Sequence, residues 1–221
     1  MNEDIIKNGL VAGLVLFTLS VVAVIVLVLY LKYTKAKRIE RGREFETEFS
    51  LYLNNWAVQN HCHYIPANLF KYDDNLFETD GVLISDKGII VVELKSIKGN
   101  ITGDYNSNIW LKEFSETSYE INNSLKQNDK HIQHLANIIG KQVNFYSFVI
   151  YESFQNTLQI TNVPDYAMIM FDYEFENKFN YFNAQTETIY SEKTLNNIYN
   201  TLKRAVTTSS KDKAKFQSYR I

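Results

Sequence analysis

The sequence is poor in cysteine and in net charge, and each shortage excludes a class of protein. The single cysteine, Cys62, can neither close an internal disulfide nor anchor a structural zinc site. A disulfide-stabilised scaffold is therefore excluded, whereas the redox compartment stays open, although a reducing one fits. The formal net charge is −2, so any contact with nucleic acid must come from a local patch rather than from overall charge. Because 45% of the 221 residues are hydrophobic, the chain is large enough for one cored domain and an appendage.

Charged residues are also absent from residues 9–31, a run dominated by Leu, Val and Ile. At 1.5 Å per residue, about 23 residues cross a hydrocarbon core of roughly 30 Å. The run is longer than the apolar core of a signal peptide, which has about 7–15 residues, and it does not end in small residues. These features predict a single uncleaved transmembrane helix over 9–31, after a short extracytoplasmic N-terminus over 1–8.

Basic residues are concentrated on one side of the apolar run. The predicted juxtamembrane tether over 32–43 contains Lys32, Lys35, Lys37, Arg38, Arg41 and Arg43. The positive-inside rule then predicts a single-pass protein of the cell membrane, with its N-terminus outside and the rest in the cytoplasm. The lipid bilayer is thus one expected partner. The membrane helix could also mediate a homodimer, because Gly9 and Gly13 have the Gly-x-x-x-Gly spacing that lets two helices pack closely.

Beyond the tether, helical and strand-like patterns alternate, which predicts an α/β domain over 44–206 and a basic, flexible tail over 207–221. An apolar stripe predicts a first helix over 43–56, and 61–74 is expected to be a loop or an irregular strand. The remaining predicted elements are strands over 77–85 and 89–96, a turn at 99–103 leading to a short strand near 110, a helix over 124–139 capped by Ser124, strands over 143–151 and 166–172, and a helix over 194–206.

Three charged residues interrupt the two apolar strands of the predicted hairpin: Asp80, Glu93 and Lys95. If Ser85 opposes Gly88 across a two-residue turn, Asp80 lies opposite Glu93, and Lys95 shares their face. A three-residue loop would turn Asp80 away, and the turn residues alone permit both registers. Edge-strand charges that deter aggregation are the simpler explanation, but the apolar run before Glu93 is typical of a central strand. A buried charge needs a partner or a metal, so these residues indicate a site for metal-assisted phosphodiester hydrolysis.

Ordered motifs around the hairpin resemble those of the nuclease-related domain (NERD) family, within the PD-(D/E)XK nuclease superfamily. The motifs are Gly42-Arg-Glu-Phe-Glu46, Glu78-Thr-Asp80-Gly-Val-Leu-Ile-Ser, Gly88-Ile-Ile-Val-Val-Glu93-Leu-Lys95, Gly99-Asn-Ile-Thr-Gly103, Trp110 and Asn123-Ser-Leu-Lys-Gln127-Asn-Asp-Lys-His131. The resemblance covers roughly residues 38–150. It implies a restriction-endonuclease-like domain with a central mixed β-sheet flanked by helices.

The resemblance also implies a chemistry. Asp80 and Glu93, with the carbonyl of Leu94, are expected to hold Mg²⁺, or alternatively Mn²⁺. Lys95 is expected to position water or stabilise negative charge, with Glu46 and Gln127 in support. The expected function is metal-dependent hydrolysis of nucleic acid, with DNA as the expected substrate, although the residues do not distinguish DNA from RNA. An inactive membrane-tethered module that binds DNA or protein is the alternative.

The sequence departs from the family pattern at three positions. Gly81 stands where His is common, Ser124 replaces a common proline, and Phe45 replaces a glycine. None of these changes removes a predicted ligand or the lysine.

Overall fold

The computed structural model of the protein describes residues 2–154 and 156–218. The chain divides into two units, Met1–Arg43 and Glu44–Ile221. The helices are α1 (Asn2–Gln59), α2 (Ser124–Ile139), α3 (Phe175–Gln185), α4 (Glu192–Ala205) and α5 (Ser210–Ser218), with a 3₁₀ turn at Asp172–Glu174. The strands are β1 (His63–Tyr72), β2 (Asn75–Ser85), β3 (Gly88–Lys95), β4 (Asn100–Asp104), β5 (Ile109–Phe114), β6 (Thr117–Asn122), β7 (Phe145–Tyr151), β8 (Leu158–Thr161) and β9 (Ala167–Phe171).

The first unit is helical over residues 2–43, and it contains an apolar stretch long enough to cross a membrane. An 18-residue window inside Gly13–Gln59 has a mean hydropathy of 3.0, and its side chains are exposed. The hydroxyls of Thr18 and Ser20 donate to the carbonyls of Val15 and Phe17, at 2.8 and 2.7 Å. These polar groups are therefore satisfied within the helix, as a lipid environment requires.

The second unit is built on a mixed five-stranded sheet in the order β1-β2-β3-β7-β9, with β3 at its centre. Strands β1, β2 and β3 pair antiparallel, whereas β3, β7 and β9 pair parallel. The run Ile89–Val92 is completely buried because helices cover both faces of the sheet. The prediction of an α/β domain with a central mixed sheet flanked by helices is confirmed.

Each face of this sheet has its own apolar core. On one face, aromatic side chains of the last part of α1 and of α3 pack together; Trp56 lies between Phe175 and Phe179, with ring centroids 5.0 and 4.4 Å away. On the other face, Leu135 of α2 and Leu202 of α4 pack against the hairpin strands. A second sheet, in the order β6-β5-β4-β8, is joined to this side through the buried indole of Trp110.

The structure corrects several predicted elements. The segment predicted as a loop or irregular strand contains the ten-residue strand β1, which pairs along β2. Three strands, β4 to β6, stand where one short strand was expected, and α3 and β8 were not predicted at all. The tail that was predicted to be flexible contains the helix α5, while residues 219–221 lie outside the described part of the chain.

Candidate active site

The candidate site lies where the two strands of the β2–β3 hairpin diverge. Ser85 pairs with Gly88 and Gly81 with Val92, so the register that sets Asp80 opposite Glu93 is confirmed. Beyond this point, the carboxylate Oδ2 of Asp80 accepts the N–H of Leu94 at 2.8 Å. The Asp80 side chain thus satisfies a backbone group at the point where the hairpin pairing ends.

Glu93 is the most buried charged group of the site, with 1% of its side chain exposed. Strand β3 fixes its backbone, since Glu93 pairs with Val149 of β7. Its Oε1 lies 2.5 Å from the ammonium of Lys95, and its Oε2 lies 3.4 Å from Nε2 of His131. Glu93 is therefore held on both sides, with Lys95 facing one carboxylate oxygen and His131 facing the other.

Helix α2 supplies the opposite wall of the site. The ammonium of Lys95 donates to Oε1 of Gln127, in the first turn of α2, at 3.0 Å. The next residue, Asn128, is completely buried and donates to the Val91 carbonyl at 2.8 Å and to Ser147 Oγ at 2.9 Å. Because Asn128 ties the helix to the two central strands, the position of Gln127 relative to Lys95 is fixed by the fold.

The N-cap of α2 is Asn123 rather than the predicted Ser124. The side-chain oxygen of Asn123 accepts the N–H of Lys126 at 3.1 Å, and its amide donates to the carbonyls of Tyr105 and Ser107 at 3.0 and 2.7 Å. Ser124 instead exchanges a hydrogen bond of 2.9 Å with the hydroxyl of buried Tyr151. Asn123 therefore starts the helix and also holds the β4–β5 connection against it.

The two carboxyl groups of the site have pKa values displaced in opposite directions. Burial and the charge of Glu93 raise the pKa of Asp80 to about 8, against the opposing effects of the Leu94 N–H and of Lys95. For Glu93, burial disfavours the charged form, but His131 and Lys95 outweigh it and hold the pKa of Glu93 below its ordinary value. Glu93 is thus the ionised member of the pair, and Asp80 is largely protonated near neutral pH unless a further positive charge is present.

Glu46 lies within electrostatic range of this pair. It projects from the first helical turn of the second unit, and its charge adds a further rise to the pKa of Asp80. The structure therefore brings Asp80, Glu93, Lys95 and Gln127 together, with Glu46 close by. Leu94 stands between Glu93 and Lys95 in β3, and its amide binds Asp80.

These residues fit a hard divalent cation. Asp80 and Glu93 offer carboxylate oxygens, those of Glu93 are buried, and a cation would offset the penalty of ionising Asp80. In the described part of the chain, no group of three or more His, Cys, Asp or Glu side chains is arranged to hold a metal. This donor set suits Mg²⁺, which keeps several waters and needs only one or two carboxylates.

Two residues next to the site were not predicted to belong to it. His131 contacts Glu93. Its position four residues after Gln127, on the same helical face, is the sequence feature that could have placed it at the site. The ring of Tyr64 fills the space beside Gly81, where an added Cβ would lie 2.6 Å from the Tyr64 hydroxyl. This packing gives a physical reason for glycine at a position where the family commonly has His.

The fold and the site define a mixed α/β protein with a carboxylate–carboxylate–lysine centre at a strand divergence. A family model described as the nuclease-related domain, NERD, matches residues 41–152, just over half of the chain. The chain belongs to the NERD family, and the matched segment contains every predicted site residue. No curated protein and no solved structure matches the chain.

Proposed function

We propose that this protein is a membrane-anchored, metal-dependent nuclease that hydrolyses phosphodiester bonds, with DNA as the expected substrate. Membership of the nuclease-related family supports a nuclease-related function and contact with nucleic acid. The observation that carries the proposal is the convergence of Asp80, Glu93 and Lys95 at one strand divergence, with Gln127 bound to the lysine.

Asp80 and Glu93, with the carbonyl of Leu94, are the proposed ligands of Mg²⁺ or Mn²⁺. When bound, such an ion polarises the phosphate and lowers the pKa of its water. In the hydrolysis, a water molecule gives up a proton to solvent and its oxygen forms a bond to phosphorus. The bond from phosphorus to the leaving sugar oxygen breaks, and that oxygen takes up a proton from solvent.

Lys95 supplies the positive charge on the protein side. Its ammonium is held between Glu93 and Gln127, and 21% of the side chain remains exposed, so an incoming phosphate has access to it. A fixed cation that faces developing negative charge lowers the barrier without reorganising. Gln127 orients this ammonium, and Glu46 helps to keep the carboxylate region attractive to cations.

The apolar segment over 9–31 is proposed to span the cell membrane. The cluster of basic residues in 32–43 supports an orientation with the second unit in the cytoplasm and the N-terminus outside. The nuclease centre would then act on nucleic acid at the cytoplasmic face of the membrane.

The test is cleavage of labelled single- and double-stranded DNA and RNA by the full chain in detergent, with Mg²⁺ or with EDTA. We expect cleavage only with the ion, and its loss in Asp80→Asn. The melting temperature gives a second readout: Mg²⁺ should raise it for the wild type and have little effect on Asp80→Asn.

Exposed Asp73, which lies on the β1–β2 turn, provides the matched control. Asp73→Asn removes one negative charge from the far end of the β1–β2 hairpin. This variant should keep both cleavage and the rise in melting temperature with Mg²⁺. Equal cleavage by wild type and Asp80→Asn would refute the proposed site. Binding of nucleic acid without any cleavage by the wild type would favour the inactive module instead.

A further inference from the structure

The C-terminal helix α5 is docked on the β1–β2 hairpin by specific contacts. The ammonium of Lys71, on β1, lies 3.0 and 3.2 Å from the two carboxylate oxygens of Asp212, a residue that is 9% exposed. The hydroxyl of Thr207 donates to the same carboxylate at 2.8 Å, and the Thr207 N–H donates to the Leu69 carbonyl at 2.9 Å. These contacts hold a short, polar helix that has little apolar surface of its own to bury.

A cleft of about 270 Å³ lies between α5 and the β1–β2 hairpin. Its wall on the sheet includes Ala67 and Glu78, and its wall on the tail includes Lys213 and Gln217. The neighbours of Ala67 pair with Thr79 and Gly81, on either side of Asp80, and Glu78 precedes Asp80 by two residues. Because paired strands lie about 5 Å apart, the cleft begins one strand spacing from Asp80.

The donors on the tail side of this cleft suit a phosphodiester backbone. Lys213 is exposed, and in the described part of the chain its ammonium has no ion-pair partner. Exposed Thr208 and Gln217 add a hydroxyl and an amide. Glu78 is the acidic residue of the opposite wall, so the positive side of the cleft is the α5 side. Phosphate contacts of this kind, from Lys and from neutral polar side chains, position nucleic acid without reading its sequence.

We propose that α5 is a docked phosphate clamp, which holds the nucleic-acid backbone beside Asp80 through Lys213. This proposal rests on the proposed nuclease function, and it adds a binding element outside the segment matched by the family model. The clamp requires both the charge of Lys213 and the anchoring of the helix by Asp212.

The test measures binding of fluorescein-labelled DNA and RNA duplexes and single strands by the full chain in neutral-lipid nanodiscs, with Ca²⁺ in place of Mg²⁺. Lys213→Ala should weaken binding about three- to tenfold at low salt and reduce the slope of log affinity against log salt by about 1. Lys211→Ala is the matched control, since it removes the same charge from the same helix outside the cleft and should change affinity less than twofold.

The Asp212→Asn variant distinguishes the effect of docking α5 from the effect of net charge on nucleic-acid binding. The substitution removes a negative charge, so simple electrostatics predicts tighter binding, whereas release of the clamp predicts weaker binding, by about threefold or more. Circular dichroism and the melting temperature of the domain should be nearly unchanged, because the anchor holds only the tail.

Equal affinities of wild type, Lys213→Ala and Lys211→Ala would overturn the clamp and leave the nuclease proposal standing if Mg²⁺-dependent cleavage persists. A wild type that binds no nucleic acid would overturn the clamp, and absence of cleavage would independently refute the nuclease proposal. If anionic nanodiscs protect the tail from trypsin while nucleic-acid affinity is unaffected by Lys213→Ala, α5 contacts lipid and the clamp is wrong.

Discussion

Asp80 and Glu93 lie side by side at the strand divergence, yet their environments differ. Glu93 is compensated by Lys95 and His131, whereas Asp80 has one backbone donor and two nearby acidic groups. Glu93 is thus the carboxylate whose ionised form is favoured, and Asp80 is the one whose ionisation a cation would favour. This asymmetry gives each residue a distinct effect on stability.

Asp80→Asn should stabilise the metal-free protein at pH 8. The pKa of Asp80 is raised to about 8 in the folded state, so the folded protein binds a proton that the unfolded chain has lost, and stability falls as pH rises from about 4 to 8. Removing this penalty should raise the free energy of unfolding by on the order of 2 kcal/mol at pH 8 and by little at pH 4. Urea unfolding in EDTA, followed by fluorescence of the buried Trp56 and Trp110, measures the effect.

Glu93→Gln provides the opposite case. The lowered pKa of Glu93 stabilises the fold above the ordinary carboxyl range, and that stability is lost as pH falls through the lowered value. Removing the charge leaves Lys95 without its ion-pair partner, so we expect a loss of about 2–4 kcal/mol at pH 7 in the same unfolding assay. A stabilising Glu93→Gln or a destabilising Asp80→Asn at pH 8 would contradict the assigned charge states.

Cleavage should depend jointly on pH and on the Mg²⁺ concentration. The proposed metal site requires ionised Asp80, so protons should compete with the ion below the raised pKa of about 8. At limiting Mg²⁺ the rate should rise about tenfold per pH unit from 6 to 7, and saturating Mg²⁺ should move the rise to lower pH. Initial rates over a grid of pH and Mg²⁺ test this, and a rise whose position is independent of Mg²⁺ would contradict it.

At the scale of elements, helix α2 decides whether the site is assembled. It is anchored inside the domain by Asn128 and started by Asn123, and Gln127 stands between these two fixed points. The packing of helix α2 therefore fixes the position of the Gln127 side chain beside Lys95.

Asn123→Ala should destabilise the domain more than Ser124→Ala does. Asn123 caps α2 and satisfies two carbonyls of the β4–β5 connection, so its loss should cost about 2–4 kcal/mol. Ser124 makes one hydroxyl contact to Tyr151, so its loss should cost about 1 kcal/mol. Urea unfolding of both variants provides the comparison, and an equal or reversed order would favour Ser124 as the effective cap.

The sequence was informative wherever a local pattern and burial agreed. The turn residues permitted two registers, and the chemistry of a paired site favoured the Asp80–Glu93 register that the structure has. The apolar stripes of α2 and α4 revealed those helices. Strand β6 escaped because nearly all of it is exposed and its alternating pattern has only two apolar residues, Tyr119 and Ile121. Helix α5 escaped because the ion pair that anchors it joins Lys71 and Asp212, which are far apart in sequence.

His131 and Asn123 illustrate why part of the site was missed. Both residues lie in a motif that was recognised, but their roles depend on distant partners: Glu93 in one case and the loop before β5 in the other. A single sequence gives no direct sign of such pairs, and only the folded arrangement of α2 against the two sheets brings them together.

At the scale of the whole molecule, an apolar helical segment precedes a domain of the nuclease-related family. Deleting residues 9–31 should move the protein from the membrane fraction to the soluble fraction, because no other helix in the described part of the chain is long and apolar enough to span a bilayer. Thr18→Ala, which keeps the apolar run, should stay with the membrane. Alkaline carbonate extraction followed by immunoblotting measures both, and release of the intact chain by carbonate would contradict a spanning segment.

The central claim is that the charges between β2 and β3 form a metal-dependent phosphodiesterase, in which Lys95 acts on the substrate while the carboxylates hold the ion. The most direct measurement is the Mg²⁺-dependent cleavage rate of the full chain and of Lys95→Met, with the Mg²⁺-induced rise in melting temperature recorded on the same samples. We predict that Lys95→Met keeps the thermal effect of Mg²⁺ and loses about 10²–10³-fold in rate. A Lys95→Met protein that cleaves at the wild-type rate would contradict the account.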